Sequence, residues 1–211
     1  MIAALFVETG GAYFGLKGVD PWDEARDARS YPGPYPVVAH PPCERWGRMW
    51  FGSPLKPDKN KYRLGNDGGC FAAALMAVRC WGGVLEHPAD THAYAAFGLK
   101  KPPRKGGWVP VDDFGGWACC VEQGHYGHYG RKMTWLYAVG TDRPELKWGS
   151  SGQRLDPVLL KTHGYKYARR CGMTGRIGGK NKKRDRAKTP PEFRELLLKI
   201  ARSTDGAQAS H

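Results

Sequence analysis

Apolar residues along the chain fall in short unbroken runs, not in long alternating stretches. IAALFV at 2–7, VVA at 37–39 and Val84-Leu85 each run into glycines, prolines or a polar cap. That is the pattern of strands buried on both faces. Between them, WDEARDARS at 22–30 predicts a short charged helix, and GCFAAALMAVRC at 69–80 predicts a strongly apolar one. Trp117 to Val121 and Thr134 to Val139 read as two further strands bracketing GHYGHYGRK. Residues 48–68 and 100–116, rich in Pro, Gly and Lys, read as loops. The chain closes on a helix from Pro191 to Arg202, entered through Thr189-Pro190-Pro191. Buried strands alternating with helices predict an α/β fold with a mainly parallel sheet and flanking helices. In such sheets ligands sit at the carboxyl ends of the strands. Here those ends carry Gly10-Gly11, Pro42-Cys43 and Glu86.

With 211 residues the chain has the length of one domain, or one domain with a small appendage. No run of 18 apolar residues offers a membrane span, and MIAALFVETGG lacks the features of a signal peptide, so a cytoplasmic protein without membrane contact is expected. The charge is more informative. Lys and Arg number 33 against 20 Asp and Glu, and between Lys161 and Lys188 eleven basic residues face one acid, Asp185. Such a block is a footprint for a polyanion, most simply nucleic acid, or else a solvated basic tail. Lys161, Lys166, Arg169, Arg170, Arg176, Lys180, Lys182, Lys183 and Arg184 are its candidate contacts, with Tyr165 and Tyr167 among them. The organisation predicted is a core over 1–140, a basic segment over 141–188, a closing helix over 189–205 and a disordered tail over 206–211.

None of the six cysteines forms a CxxC pair, and apart from His40-x-x-Cys43 there is no zinc spacing, so no metal is expected. Most should be small buried hydrophobes. Cys43 differs, because two prolines place it on a stiff turn just after a strand. Arg45 stands two residues on, and Glu86 at a neighbouring strand end could supply a proton or hydrogen bond. On spacing alone Cys43 is either structural or a nucleophile acting on an electron-poor ring. His40 and His87 flank the two candidates and read as strand-end hydrogen-bonding groups, with base contact or pH sensing the other reading for His87. GHYGHYG reads as a mobile loop.

The order of these motifs resembles that of the cytosine-C5 DNA methyltransferases in reduced form. Leu5-Phe6-Val7-Glu8-Thr9-Gly10-Gly11 followed by Gly15-Leu16 is similar to that family's opening strand and glycine turn, and Trp22-Asp23 to the acidic end of its second strand. Val37 to Cys43 resembles the Pro-Cys motif, Gly69 to Val78 the helix after it, and Val84-Leu85-Glu86-His87-Pro88 the Glu-Asn-Val motif with His for Asn. Tyr126-Gly127, Arg131-Lys132 and Thr134 to Val139 are similar to the arginine motif and its strand. Thr189 to Phe193 resembles the start of the helix that folds back on the cofactor site. The chain also looks like small phage-encoded proteins of this pattern.

The resemblance implies a Rossmann-like methyltransferase core. It implies that Cys43 adds to C6 of a flipped cytosine, that Glu86 holds the ring nitrogen and that Arg131 orients the base or thiol. It also implies S-adenosylmethionine as cofactor, admitted by Phe6, Gly10 and Gly11, with Asp23 accepting its ribose hydroxyls. The departures cluster in the cofactor half. Glu8 stands at the family's first turn glycine, and only 31 positions separate Gly11 from Pro42, so a third strand is deleted. Arg186-Ala187-Lys188 stands in place of a Gly-Asn pair, and the recognition region shrinks to Thr141–Lys188, which leaves room for a partner subunit in target recognition. The expected activity is therefore transfer of a methyl or other one-carbon group to cytosine C5 in DNA. The alternatives are an inactive DNA-binding protein of the same fold, or a small α/β enzyme acting on free nucleotides.

Overall fold

A computed structural model describes residues 1–48, 50–51, 63–128, 130–152, 155, 157–171 and 188–204. Seven strands form one sheet: β1 (Ile2–Leu5), β2 (Val19–Trp22), β3 (Val37–Ala39), β4 (Gly83–Pro88), β5 (Val109–Pro110), β6 (Trp117–Glu122) and β7 (Met133–Val139). The helices are α1 (Cys70–Trp81), α2 (His92–Ala96), α3 (Pro157–Cys171) and α4 (Pro191–Arg202). Strand order is β2-β1-β3-β4-β7-β6-β5. The first four strands run parallel, whereas β7, β6 and β5 join by antiparallel pairings. The fold is thus α/β, but its sheet is mixed, not mainly parallel. A short connection from β6 to β7 through GHYGHYGRK enforces this, since two neighbouring strands so closely linked can only pair as a hairpin.

The charged helix predicted at 22–30 is replaced by β2, a turn and a single 3-10 turn at Ala28–Ser30. Its charges serve other partners. Asp20 accepts from Trp22 Nε1 and Arg26, and Asp23 accepts from the Arg26 backbone. These local side-chain bonds compete with a helix. Prediction and structure agree closely at α1 and α4, where periodicity is strongest.

The sheet is the middle of three layers. Ala3, Leu5 and Leu85 face α1 and pack on Phe71, Leu75 and Val78. Ile2, Ala4, Val38, Val84 and Leu136 face α4 and pack on Phe193, Leu197, Leu198 and Ile200. Burying those four α4 side chains contributes on the order of 10 kcal/mol before entropy is counted. Pro191 opens α4, Glu192 lies in its first turn and Lys199 and Arg202 in its last, each favourable for the helix dipole.

The basic segment contributes α3, a helix absent from the sequence reading, broken at Gly164 where φ is 76° and ψ 171°. Lys161, Lys166 and Arg169 are exposed on it, and Arg170 belongs to the same helix. Arg176, Lys180, Lys182, Lys183, Arg184 and the tail 206–211 lie outside the described residues, as does most of the predicted 48–68 loop. No described helix is long and apolar enough to cross a membrane.

Candidate active site

Strand order reverses beside β1, whose neighbours are β2 on one side and β3 on the other. The general rule for open α/β sheets places a ligand crevice at that point, beyond the strand ends. Two loops meet there. His40 continues the β3 ladder by donating from its backbone to the Leu5 carbonyl at 3.0 Å. The chain then turns over Pro41 and Pro42, and the Cys43 carbonyl accepts from the backbones of Trp46 (3.1 Å) and Gly47 (2.9 Å). Trp46 anchors the turn: buried among Phe71 and Phe97, it donates Nε1 to Asp67 Oδ2 at 2.7 Å, and Asp67 in turn caps α1 through the Gly69 and Phe71 backbones. Cys43 is left half-buried on a braced loop.

Strand alternation decides what it meets. Along β4, His87 shares the α1 face with Leu85, and Glu86 shares the α4 face with Val84. On β6 and β7 the α4 face carries Cys119, Val121, Leu136 and Ala138, and the same parity brings Gln123, Thr134 and Lys132 to Glu86. The ladder runs one step past the strands, with the Gln123 backbone donating to Lys132 O and Gly124 to Arg131 O, both at 3.2 Å. Arg131 therefore falls on the opposite face. Its guanidinium forks onto the buried Glu122, which also accepts from the Ser151 backbone (2.8 Å) and hydroxyl (2.9 Å). The cation beside Glu86 and Cys43 is Lys132, whose backbone is held at φ 39°, uncommon for a residue with a side chain. The parity of Lys132, Thr134 and Leu136 was the available signal for it.

Glu86 is the hub. Oε2 lies 3.1 Å from His40 Nδ1, Oε1 accepts from Gln123 Nε2 at 3.0 Å, and Gln123 Nε2 also reaches Thr134 Oγ1 at 2.9 Å. Burial pushes this carboxyl up, but the His40 hydrogen bond leads the effects that outweigh it, Lys132 and whatever charge His40 and His87 carry adding to it, and they hold the group at about 2. It is an ionised acceptor. Burial and the Glu86 charge push the Cys43 thiol up, with Lys132 opposing them. Burial draws Lys132 down, against the pull of Glu86 and Cys43.

His87 does not behave as the sequence reading expected of a strand-end hydrogen bonder. It is fully buried, edge-on to Phe71 at 5.1 Å, with neither ring nitrogen in a well-formed hydrogen bond. Arg45 sits half-buried over the Trp50 carbonyl at 3.3 Å. The stretch GHYGHYG enters through a 3-10 turn, Gln123–Tyr126, with Tyr126 and His128 buried; Tyr129 lies outside the described residues.

On the other side of β1, Phe6 adopts φ 58°, and Gly11 approaches Glu8 so closely that an added Cβ would stand 2.7 Å from its carbonyl oxygen. Gly10, at φ 66°, leaves open space where a side chain would project. Asp23 Oδ2 accepts the Thr9 hydroxyl at 2.6 Å, and that bond leads the effects holding its carboxyl below the usual range. Arg194 of α4 donates to the Ala12 carbonyl at 2.9 Å, tying the closing helix to this loop. Among the described residues no group of three His, Cys, Asp or Glu could hold a metal ion. Comparison with protein-family models, curated proteins and solved structures yields no match to this chain.

Proposed function

We propose that this chain modifies cytosine in DNA: Cys43 adds to ring C6, and a methyl or other one-carbon group is transferred to C5. The observation that carries this reading is the meeting of Cys43 and an ionised Glu86 at adjacent strand ends, beside the point where strand order reverses. In the same reading the parallel half, β2-β1-β3-β4 with α1 and α4, is a Rossmann-like core that has lost a strand beyond β2. Thiolate addition at C6 drives the C5=C6 electron pair toward N3, which takes up a proton from solvent; the Glu86 carboxylate accepts from the 4-amino group and from the N3–H so formed, and after transfer to C5 the C5 proton leaves to solvent and the Cys43–C6 bond breaks. Arg131, expected to orient the base or thiol, is held by Glu122, and Lys132 is the cation that favours the Cys43 thiolate. The exposed Lys161, Lys166 and Arg169 of α3 supply backbone contacts to DNA.

S-adenosylmethionine fits the first loop on one condition. Thr9 already makes with Asp23 the hydroxyl–carboxylate contact that a ribose would make, so a ribose takes its place. Gly10 leaves room for the group, and Phe6 and Gly11 shape the turn around it. When bound, the cofactor supplies an electrophilic methyl group.

The test is covalent trapping. DNA carrying 5-fluorocytosine, with and without S-adenosylmethionine, should give a methylated adduct that disappears in Cys43→Ser. An adduct lacking the methyl would keep the nucleophile and change the donor. No adduct, with salt-sensitive binding intact, would favour a binding protein of the same fold, a reading that the elevated Cys43 thiol itself supports.

A further inference from the structure

The chain of hydrogen bonds through Glu86 extends beyond the groups that would touch a base. Tyr13, on the loop after β1, is buried against the α4 layer, and its hydroxyl lies 2.7 Å from His40 Nε2. The two rings pack tilted at 49°, centroids 5.3 Å apart. On its other nitrogen, His40 Nδ1 lies 3.1 Å from Glu86 Oε2. Three residues from three segments are thus joined in one line: loop, β3 end and β4.

Proton counting orders the line. Burial, and then the Glu86 charge, push the Tyr13 hydroxyl far above the ordinary tyrosine range, against the pull of Arg194, so it keeps its proton. A neutral imidazole has one donor and one acceptor nitrogen. If Tyr13 donates to Nε2, Nδ1 carries the hydrogen and donates to Glu86. We propose that Tyr13 and His40 are positioning residues of the Cys43–Glu86 site: Tyr13, donating to Nε2, and the Glu86 carboxylate, accepting at Nδ1, together favour the Nδ1–H tautomer of His40, and that tautomer orients Glu86 as an acceptor beside Cys43. The catalytic consequence rests on the base-modification reading; the hydrogen-bond assignment rests on the geometry alone.

The surroundings agree with this order. Glu86 receives Gln123 at its other oxygen and feels Lys132 and His87. Cys43 feels Glu86, Glu44 and Lys132, and Tyr13 feels Glu86, Arg194 and Glu195. Two of Glu86's neighbours, His40 and Gln123, each bring one N–H to a different oxygen, leaving lone pairs on both for a substrate N–H. Glu86 is then aligned before any base arrives, which is the preorganisation that electrostatic catalysis requires.

The test uses the full-length, 15N-labelled protein at pH 8, with histidine ring nitrogens read by long-range 1H–15N correlation and His40 assigned by its loss in His40→Asn. Expected is a ring protonated at Nδ1 alone, moving toward the Nε2–H form in Tyr13→Phe. A wild-type ring protonated at Nε2, a doubly protonated ring, or a Tyr13→Phe spectrum identical to the wild type would overturn the proposal. In parallel, Tyr13→Phe should slow trapping by 5-fluorocytosine DNA about tenfold, the worth of one hydrogen bond to a charged site, with DNA binding unchanged. His40→Asn, which keeps an N–H donor near the Nδ1 position, should retain more of the rate than His40→Ala. Equal trapping rates in all variants would also overturn it. If the wild type traps nothing, the base-modification reading falls, and the NMR result still decides the tautomer.

Discussion

His87 offers a direct test of the burial argument, because its environment makes a quantitative demand on stability. Burial draws its pKa from 6.5 to about 4; the Glu86 charge and the Pro42 carbonyl beside it restore only part of the loss. The native pKa lies below that of the unfolded chain, so the unfolded state binds more protons as pH falls, and stability is lost from about pH 6.5 down to about 4. Between pH 7 and 5 an unfolded histidine takes up about three quarters of a proton, whereas His87 takes up about a tenth of one, a difference of about 2 kcal/mol. Glu86, depressed to about 2, loses its contribution below about pH 4.5, outside this window. Replacing His87 with Leu removes the titrating group and both unpartnered nitrogens while roughly keeping the volume against Phe71. Urea denaturation at pH 7 and pH 5 is the assay. With a slope of about 2 kcal/mol/M, the wild-type midpoint should drop about 1 M further than that of His87→Leu. Equal drops in the two proteins would refute the reasoning, since His87 would then be protonated or solvated in the native state.

Two further outcomes follow from the site and from α3. Alkylation of Cys43, followed by mass spectrometry across pH, should shift to lower pH in Glu86→Gln and to higher pH in Lys132→Met, because the two side chains act on the thiol with opposite signs; shifts of the same sign would refute that. Replacing Lys161, Lys166 and Arg169 with Gln should weaken DNA binding alike for all sequences and flatten the log–log salt slope by about 0.9 per lost contact, measured by fluorescence anisotropy.

The strands that could be read in advance were those whose burial is complete. Ile2–Leu5 and Val37–Ala39 need no partner information to look buried on both faces, and α1 and α4 carry their own periodicity and, for α4, its prolines. The Pro-Pro-Cys turn and Glu86 could likewise be picked out as candidates, since stiff backbone and a lone carboxyl at strand ends are local features. The segment at 22–30 misled because its charges suit a helix until Asp20, Asp23 and Arg26 find partners across the turn. The basic stretch gave no helical period that survives Gly164, and α3 was missed.

What the sequence determined by itself was thus the α/β class, the buried strands and the two strong helices, and it offered Cys43 and Glu86 as candidates, all from composition over a few neighbouring residues. Tertiary structure alone decided the mixed sheet, the exchange of Arg131 for Lys132, and the Tyr13–His40–Glu86 line. Those depend on which face a side chain takes once distant strands pair, and a period of two turns a shift of one residue into the opposite side of the sheet.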